Sequence, residues 1–469
     1  MASVQNCELQ GKVIFPGDPD YPGRLWNKRY LDLKPAIINV VHSVDHVVSA
    51  LCYAKRNGLK VRVRSGGHNY EGFCLLDDGI VIDVTRLIDF IVSGDTCTFG
   101  PGWMQGKLYE KLAREHKRYI SGGICDDVAA IPVFLGGGTG IYHRTHGLSC
   151  DTLLSLTLID HDGKTIVCSP TQNAKLFWAC KGAGNGNFGV VVSATVDTFA
   201  LSEVCNFRMV WKWDDRVPVN WQAWLASAKP NVANTVLTLG EYDKRGKPET
   251  IEATGMVFGT RAVCAAAIKS LAEREPKPIV THEEESAEEA GQLARGASPR
   301  DPEHLWSAER DLMPAADYQN IRWKSTGLLA SDMLSLDGVK QLGALMAAAP
   351  ATLRGFSVAF VGLGGTIGEI DAGSSPYPHR KARFMFRNVA TWTDAKDDAA
   401  NINYHTLVKL FLARATASKG YYFNYSDLDI GDYMKNYFGE NVADLMAVKR
   451  MYDPDNFFSY AQSIPRSDS

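Results

Sequence analysis

The stretch Arg64-Ser65-Gly66-Gly67-His68-Asn69-Tyr70 limits what this chain can fold into more than any other segment. It ends a run, Leu59 to Arg64, in which Leu59, Val61 and Val63 alternate with polar residues as a half-buried strand does, so His68 stands at a strand's exit. Two glycines directly before it remove the Cβ atoms that would hold a large planar ligand away from the backbone. A lone Gly-Gly-His is more often a strand-to-turn connection whose histidine caps a hydrogen bond. Three further glycine-rich clusters change that weighting: Ser121-Gly122-Gly123-Ile124-Cys125, Leu135 to Gly140, and Gly182 to Gly189.

Backbone N–H groups unshielded by side chains can cradle a pyrophosphate, and three such clusters imply an extended ligand. None has the GxGxxG spacing after a strand with a downstream acid, and no P-loop occurs, so a plain NAD fold is disfavoured. Fifty basic against fifty-three acidic residues, without a long Lys/Arg cluster, argue against nucleic-acid or membrane-surface partners and favour small-molecule catalysis. There is no apolar run of about eighteen residues, as a membrane span would need. Met1 to Tyr21 lacks a basic head, apolar stretch and cleavage site, so a cytoplasmic location is expected as written, with a secreted mature form as the alternative. Ten cysteines, spread singly from Cys7 to Cys264 without a CxxC pair, predict neither a disulfide framework nor a structural zinc site.

At 469 residues, two or three domains are expected. From Val40 to Val196 the pattern is α+β with short strands. Ser43 caps a helix through Ala54, strands follow at 60–64, 80–83 and 96–99, a helix at 104–115, and paired strands at 153–160 and 164–168 around the turn His161-Asp162-Gly163. After Val196, strand-like runs at 235–242 and 251–259 and a helix at 261–272 suggest a sheet with flanking helices. The acidic stretch His282 to Glu289 and the Gly/Ser/Pro-rich Gly296 to Pro302 read as a solvated helix end and loop. Asn441 to Tyr452 reads as an amphipathic helix, stopped by Asp453-Pro454-Asp455-Asn456.

Taken in order, RSGGHNYEG, SGGIC, LGGGTG with YHRTHGLSCD, FWACKGAGNGNFGVV, YFNYSDLD and YDPDNFFSYAQSIP resemble the berberine bridge enzyme-like flavoproteins, which belong to the vanillyl-alcohol oxidase superfamily with its p-cresol methylhydroxylase (PCMH)-type FAD-binding domain. The likeness runs from about residue 35 to 465 and is weakest over 205–400. It implies a two-lobed PCMH-type FAD-binding domain at 30–204, an α/β substrate domain with a helix-covered sheet at 205–417, and a C-terminal segment at 418–469 packing back on the first, its Gln462-Ser463-Ile464 buried there. It also implies FAD held bicovalently, His68 on the 8α-methyl and Cys125 on C6 of the ring. Imidazole nitrogen and thiolate are nucleophiles suited to such bonds.

The same resemblance assigns cofactor contacts to Arg64, Ser65, Gly66, Gly67, Asn69, Gly136, Gly137, Gly138, Gly140, Gly189, Val190 and Asn424. Val128 matches the position that controls oxygen access, in its oxidase form. Tyr425 would be the catalytic base, with Tyr422 and Tyr70 lining the substrate site. Taking a hydride from an alcohol or amine carbon requires such a base, and a free tyrosine, with a pKa near 10, needs a cation or hydrogen bonds that favour phenolate. The implied activity is that of an FAD-dependent oxidase passing electrons to O₂ to give H₂O₂, as a monomer or homodimer. Its alternatives are a dehydrogenase of the same fold and an oligosaccharide oxidase.

Departures are visible too. Relatives follow the cysteine with Pro-Thr-Val-Gly-Val-Gly-Gly-His, where this chain has Asp126-Asp127-Val128-Ala129-Ala130-Ile131-Pro132-Val133, so three glycines are lost and the Cys125 attachment is less secure than that of His68. Thr139 replaces an aromatic residue. The strand before Gly364-Gly365 lacks the acidic residues of sugar-oxidising members, while Glu369 and Asp371 precede Pro376-Tyr377-Pro378-His379-Arg380 as possible bases or loop carboxylates. His143 and His146 flank Arg144 in a family motif, so no metal is expected.

Overall fold

The computed structural model describes residues 7–241, 244–286, 320–418 and 420–467. Gly296 to Pro302 lies outside them. Three larger sheets organise the described residues, beside a two-stranded pair of Arg118–Tyr119 and Phe199–Ala200. The first runs in the order Lys12–Ile14, Ile37–Val40, Ile80–Asp83, Val61–Arg64, with the last three parallel. A parallel pair needs a crossover. The helix Val44–Arg56, capped by Ser43 Oγ accepting from the His46 N–H, supplies the first one. The second, residues 65–79, contains no helix and carries His68.

Five antiparallel strands form the second sheet, in the order Phe90–Ser93, Thr96–Phe99, Val190–Asp197, Leu153–Ile159, Thr165–Cys168. Ile159, Val190 and Val192 from this sheet pack in one core with Ile80, Ile82 and Val47 of the first lobe, which joins the lobes.

The third sheet has eight strands, all pairs antiparallel, from Val280–Ser286 at one edge through Val204–Lys212, Thr250–Phe258, Val232–Glu241, Gly355–Gly362, Phe384–Trp392 and Arg322–Ala330 to Gly420–Tyr421. Side chains alternate across it. Phe384, Phe386, Ala390 and Trp392 join the core under the helices Arg216–Leu225, Arg261–Ala272, Leu336–Ala347 and Asp398–Ala415, while Met385 and Val389 pack in separate clusters with Tyr422 and Tyr70. One face is thus roofed by helices and the other faces the first two lobes. The mixed α+β architecture agrees with the expected fold class.

Two readings need correction. His282 to Ser286 belongs to the edge strand Val280–Ser286 and not to a helix end, and the rest of the acidic stretch, to Glu289, lies outside the described residues; charged side chains on an edge strand oppose pairing with another chain. Cys7 and Cys52 form a disulfide, which tethers the N-terminal segment to the helix Val44–Arg56. Cysteine spacing alone held no sign of that pair. The other eight cysteines are unbridged.

Candidate active site

Gly66 and Gly67 hold the histidine loop against its neighbours. A Cβ on Gly66 would lie 2.9 Å from the Ala129 N, and one on Gly67, at φ +74°, would lie 2.6 Å from the Arg24 carbonyl. Gly66 therefore packs the histidine motif directly on the loop that follows Cys125. That loop compensates for its missing glycines with backbone bonds: Gln105 N–H donates to Val128 O at 2.9 Å, Gly106 N–H to Asp126 O at 2.9 Å, and Ala130 N–H to Trp103 O at 2.9 Å. The short helix Ala130–Leu135 follows at once.

His68 is half-buried. Its ring stacks on Trp26 at 5.6 Å, and its Nε2 lies 3.4 Å from Asp127 Oδ2. Trp26 in turn stacks on Trp323 of the third sheet at 4.5 Å, and Asn27 bridges the lobes, its amide donating to the Tyr70 and Trp323 carbonyls.

The tail segment places the tyrosines. Tyr422 N–H donates to the Gly327 carbonyl, and Tyr425 N–H to the Tyr422 carbonyl, so the chain turns and sets the two rings edge to face at 5.1 Å. Gly327 makes room for this; a Cβ there would stand 2.8 Å from Tyr425 Cδ2. Tyr70 meets Tyr425 edge to face at 5.4 Å on the other side. Arg387 lies 5.1 Å over the Tyr425 ring and donates from Nη2 to the Tyr70 hydroxyl at 2.8 Å.

Tyr422 is employed differently. Its hydroxyl oxygen accepts from Gly138 N–H at 2.9 Å, Thr139 N–H at 2.8 Å and Asn424 Nδ2 at 3.0 Å. Burial raises its pKa, opposed by these donors. The oxygen is committed to holding the glycine cluster. Asn424 also donates to the Val133 carbonyl and accepts from Asn185 Nδ2.

One cavity of about 260 Å³ gathers these groups. At roughly 10–15 Å³ per water this is space for on the order of twenty, too much for a packing fault. Its wall includes Ser65, Gly66, Gly67, His68, Asn69 and Tyr70, then Cys125 and Val128, then Gly189, and finally Tyr422, Asn424 and Tyr425. Arg64, Gly136, Gly137, Gly138, Gly140 and Val190 lie outside that lining. Arg64 is buried against Asp83 and the Pro22 carbonyl, and Val190 is core. The cavity extends from Trp26 and Arg387 to Asn185, Gly186, Arg62 and Tyr460, where Arg62 Nε is buried with no partner.

Glu369 and Asp371 are exposed and outside the lining, Asp371 Oδ1 accepting from the Gly373 N–H. His143 is bonded to the Gly140 and Gly362 carbonyls and His146 to the Tyr119 hydroxyl; burial lowers the pKa of each to about 4. Among the described residues no three His, Cys, Asp or Glu side chains gather as metal ligands, and no helix is long and apolar enough to cross a membrane. Sequence reasoning missed Trp26, Arg387, Lys324 and the Asp127 contact. Only Asp127 left a signal, as a charge where relatives have none.

Behind the tyrosines lies a buried charge network. Lys324 Nζ is 2.6 Å from Glu71 Oε1, 2.6 Å from Asp427 Oδ1 and 2.8 Å from Asp429 Oδ2, and Lys409 meets Asp427 at 2.7 Å. It ties the His68 motif and the tail to the third sheet.

Comparison with known proteins points one way. A family model described as FAD binding domain matches residues 35–169, and one described as berberine and berberine like matches residues 421–465. An uncharacterized FAD-linked oxidoreductase of Bacillus subtilis is 28% identical over 98% of both chains. The chitooligosaccharide oxidase of Gibberella zeae is 28% identical over 98% of this chain and 94% of its own. Among solved structures, BBE-like 1 of Physcomitrella patens has the same fold, with a TM-score of 0.86 at 22% identity over 98% of this chain and 97% of that one.

Proposed function

Because the chain belongs to the berberine bridge enzyme-like FAD-linked oxidoreductases, we propose that it is an oxidase acting on an alcohol carbon of a small organic molecule, with FAD tethered to His68 and Cys125. The observation that carries this reading is that His68, Cys125, Val128 and the three tyrosines line one cavity. We divide the chain accordingly into an FAD-binding unit at 30–204, a substrate-binding unit at 205–417 and a returning tail at 418–469.

The residues present fit the cofactor. Gly66 and Gly67 keep side chains away from a planar ring at the His68 end, and Arg62 offers a cation with an unpartnered buried Nε at the other end, suited to phosphate. When bound, FAD supplies a two-electron acceptor for hydride and returns the electrons to O₂ as hydrogen peroxide.

Tyr425 takes the substrate hydroxyl proton at its phenolic oxygen. The Arg387 guanidinium over its ring favours the ionised form. Arg387 also fixes the Tyr70 hydroxyl, so Tyr70 orients the substrate from the opposite side. Tyr422, its oxygen bonded to Gly138, Thr139 and Asn424, holds the glycine cluster and closes the wall with its ring. Trp26, stacked on the buried Trp323 outside the lining, gives the cavity an apolar wall. Among the described residues the lining carries Arg62, His68 and Arg387 but no carboxylate, which favours a neutral alcohol over a protonated amine.

The test is reoxidation. Reduced protein mixed with aerated buffer should return to the oxidised spectrum within seconds and release one hydrogen peroxide per flavin. Reoxidation over many minutes, with fast turnover on an artificial dye, would replace the oxidase with a dehydrogenase of the same fold.

A further inference from the structure

We infer that Asp127 is a positioning residue for attachment of the flavin to His68, a role that rests on the covalent reading above. Asp127 Oδ2 is 3.4 Å from His68 Nε2 while the ring stacks on Trp26, so the imidazole has one neighbour at its edge and one along its face. A carboxylate at Nε2 places the imidazole proton there and leaves Nδ1 as the nucleophilic nitrogen. Asp127 is itself fixed: the carbonyls of its neighbours Asp126 and Val128 accept from Gly106 and Gln105, and Gly66 lets its loop approach. Arg24 Nη2 lies 3.5 Å from its carbonyl and 4.0 Å from the same carboxylate oxygen.

The step balances as follows. Nδ1 forms a C–N bond to the 8α carbon while that methyl gives up one hydrogen as a proton and the imidazole gives up its own. The electron pair of the broken C–H bond enters the flavin ring, which takes up both protons. Dioxygen then removes two electrons and two protons as hydrogen peroxide. Positive charge grows on the imidazole as Nδ1 attacks, and the Asp127 carboxylate beside Nε2 stabilises it, as a carboxylate does for a catalytic histidine.

Attachment can be timed directly. Cys125→Ala protein from riboflavin-limited cells, in which His68 is the remaining attachment point, is mixed with FAD in air, and flavin on the His68 peptide is followed by mass after acid precipitation. Asp127→Asn added to that background should slow attachment by on the order of tenfold or more, with non-covalent FAD binding retained by fluorescence quenching, and Asp127→Glu should recover most of the rate. Equal rates in the Asn variant and its parent would overturn the role of Asp127. Should the Asn variant not bind FAD, the Glu variant decides: attachment near the parent rate supports a carboxylate requirement, and FAD bound without attachment refutes it. Absence of flavin on His68 in the parent would sink the covalent reading itself, and the role of Asp127 with it.

Discussion

Lys324 Nζ lies 2.6 Å from Asp427 Oδ1, with both side chains at most 1% exposed. Burial opposes both charges, yet Glu71 and Asp427 outweigh it and hold Lys324 above its ordinary pKa, while Lys324 and Lys409 hold Asp427 far below the usual carboxylate range. Removing one partner of such a pair strands the other. Lys324→Met should cost about 3–5 kcal/mol by chemical denaturation; a loss under about 1 kcal/mol would mean that the network is solvated.

The same network sets an acid limb. Asp427 has a depressed folded pKa, so between that value and the ordinary one near 4 the unfolded chain binds the extra proton. The stability it contributes is complete above the ordinary carboxylate range and is lost as pH falls through the folded pKa. Asp427→Asn should lower stability at neutral pH and flatten the dependence below pH ~4. An unchanged slope there would assign acid unfolding to other carboxylates.

Tyr425→Phe should reduce the rate of flavin reduction by substrate about 10²- to 10⁴-fold and leave flavin content unchanged. Tyr422→Phe should act on structure instead, because three N–H donors lose their acceptor. Its signature is a lower melting temperature and weaker flavin retention. If Tyr422→Phe alone abolished reduction in a fully loaded protein, the two roles would have to be exchanged.

Arg387→Met removes the cation over Tyr425. If Tyr425 is the base, ionising it then takes a higher pH, so the rising limb of the flavin-reduction rate should move upward. A rate that falls equally at every pH would show that Arg387 only orients substrate.

Gly66→Ala brings a Cβ to 2.9 Å from the Ala129 backbone nitrogen, where neither chain segment can yield cheaply. The Cys125 loop should be displaced from the histidine motif, and acid-stable flavin at Cys125 should drop sharply by peptide mass. Full double attachment in this variant would contradict the packing of the two loops.

Much of the framework was legible because its signals are local. Strands Ile80–Asp83 and Thr96–Phe99 and the helix Arg261–Ala272 have the bounds that periodicity and capping predict, and Ser43 caps as its residue type suggests. The acidic edge strand was misread because a run of adjacent charges has no period, and carries the same composition in a solvated helix end as on a sheet edge.

By itself the sequence determined the cofactor class, the order of the glycine loops and the residue types offered to the flavin, since each is written in a short contiguous motif whose chemistry does not depend on its neighbours. Only the tertiary structure decided what those motifs meet. Arg387 over Tyr425, Lys324 between Glu71 and Asp427, Trp26 under His68 and Asp127 beside it join segments distant in the chain. Burial gives such pairs their force, because a charge or ring that is ordinary on a surface becomes decisive once water is removed.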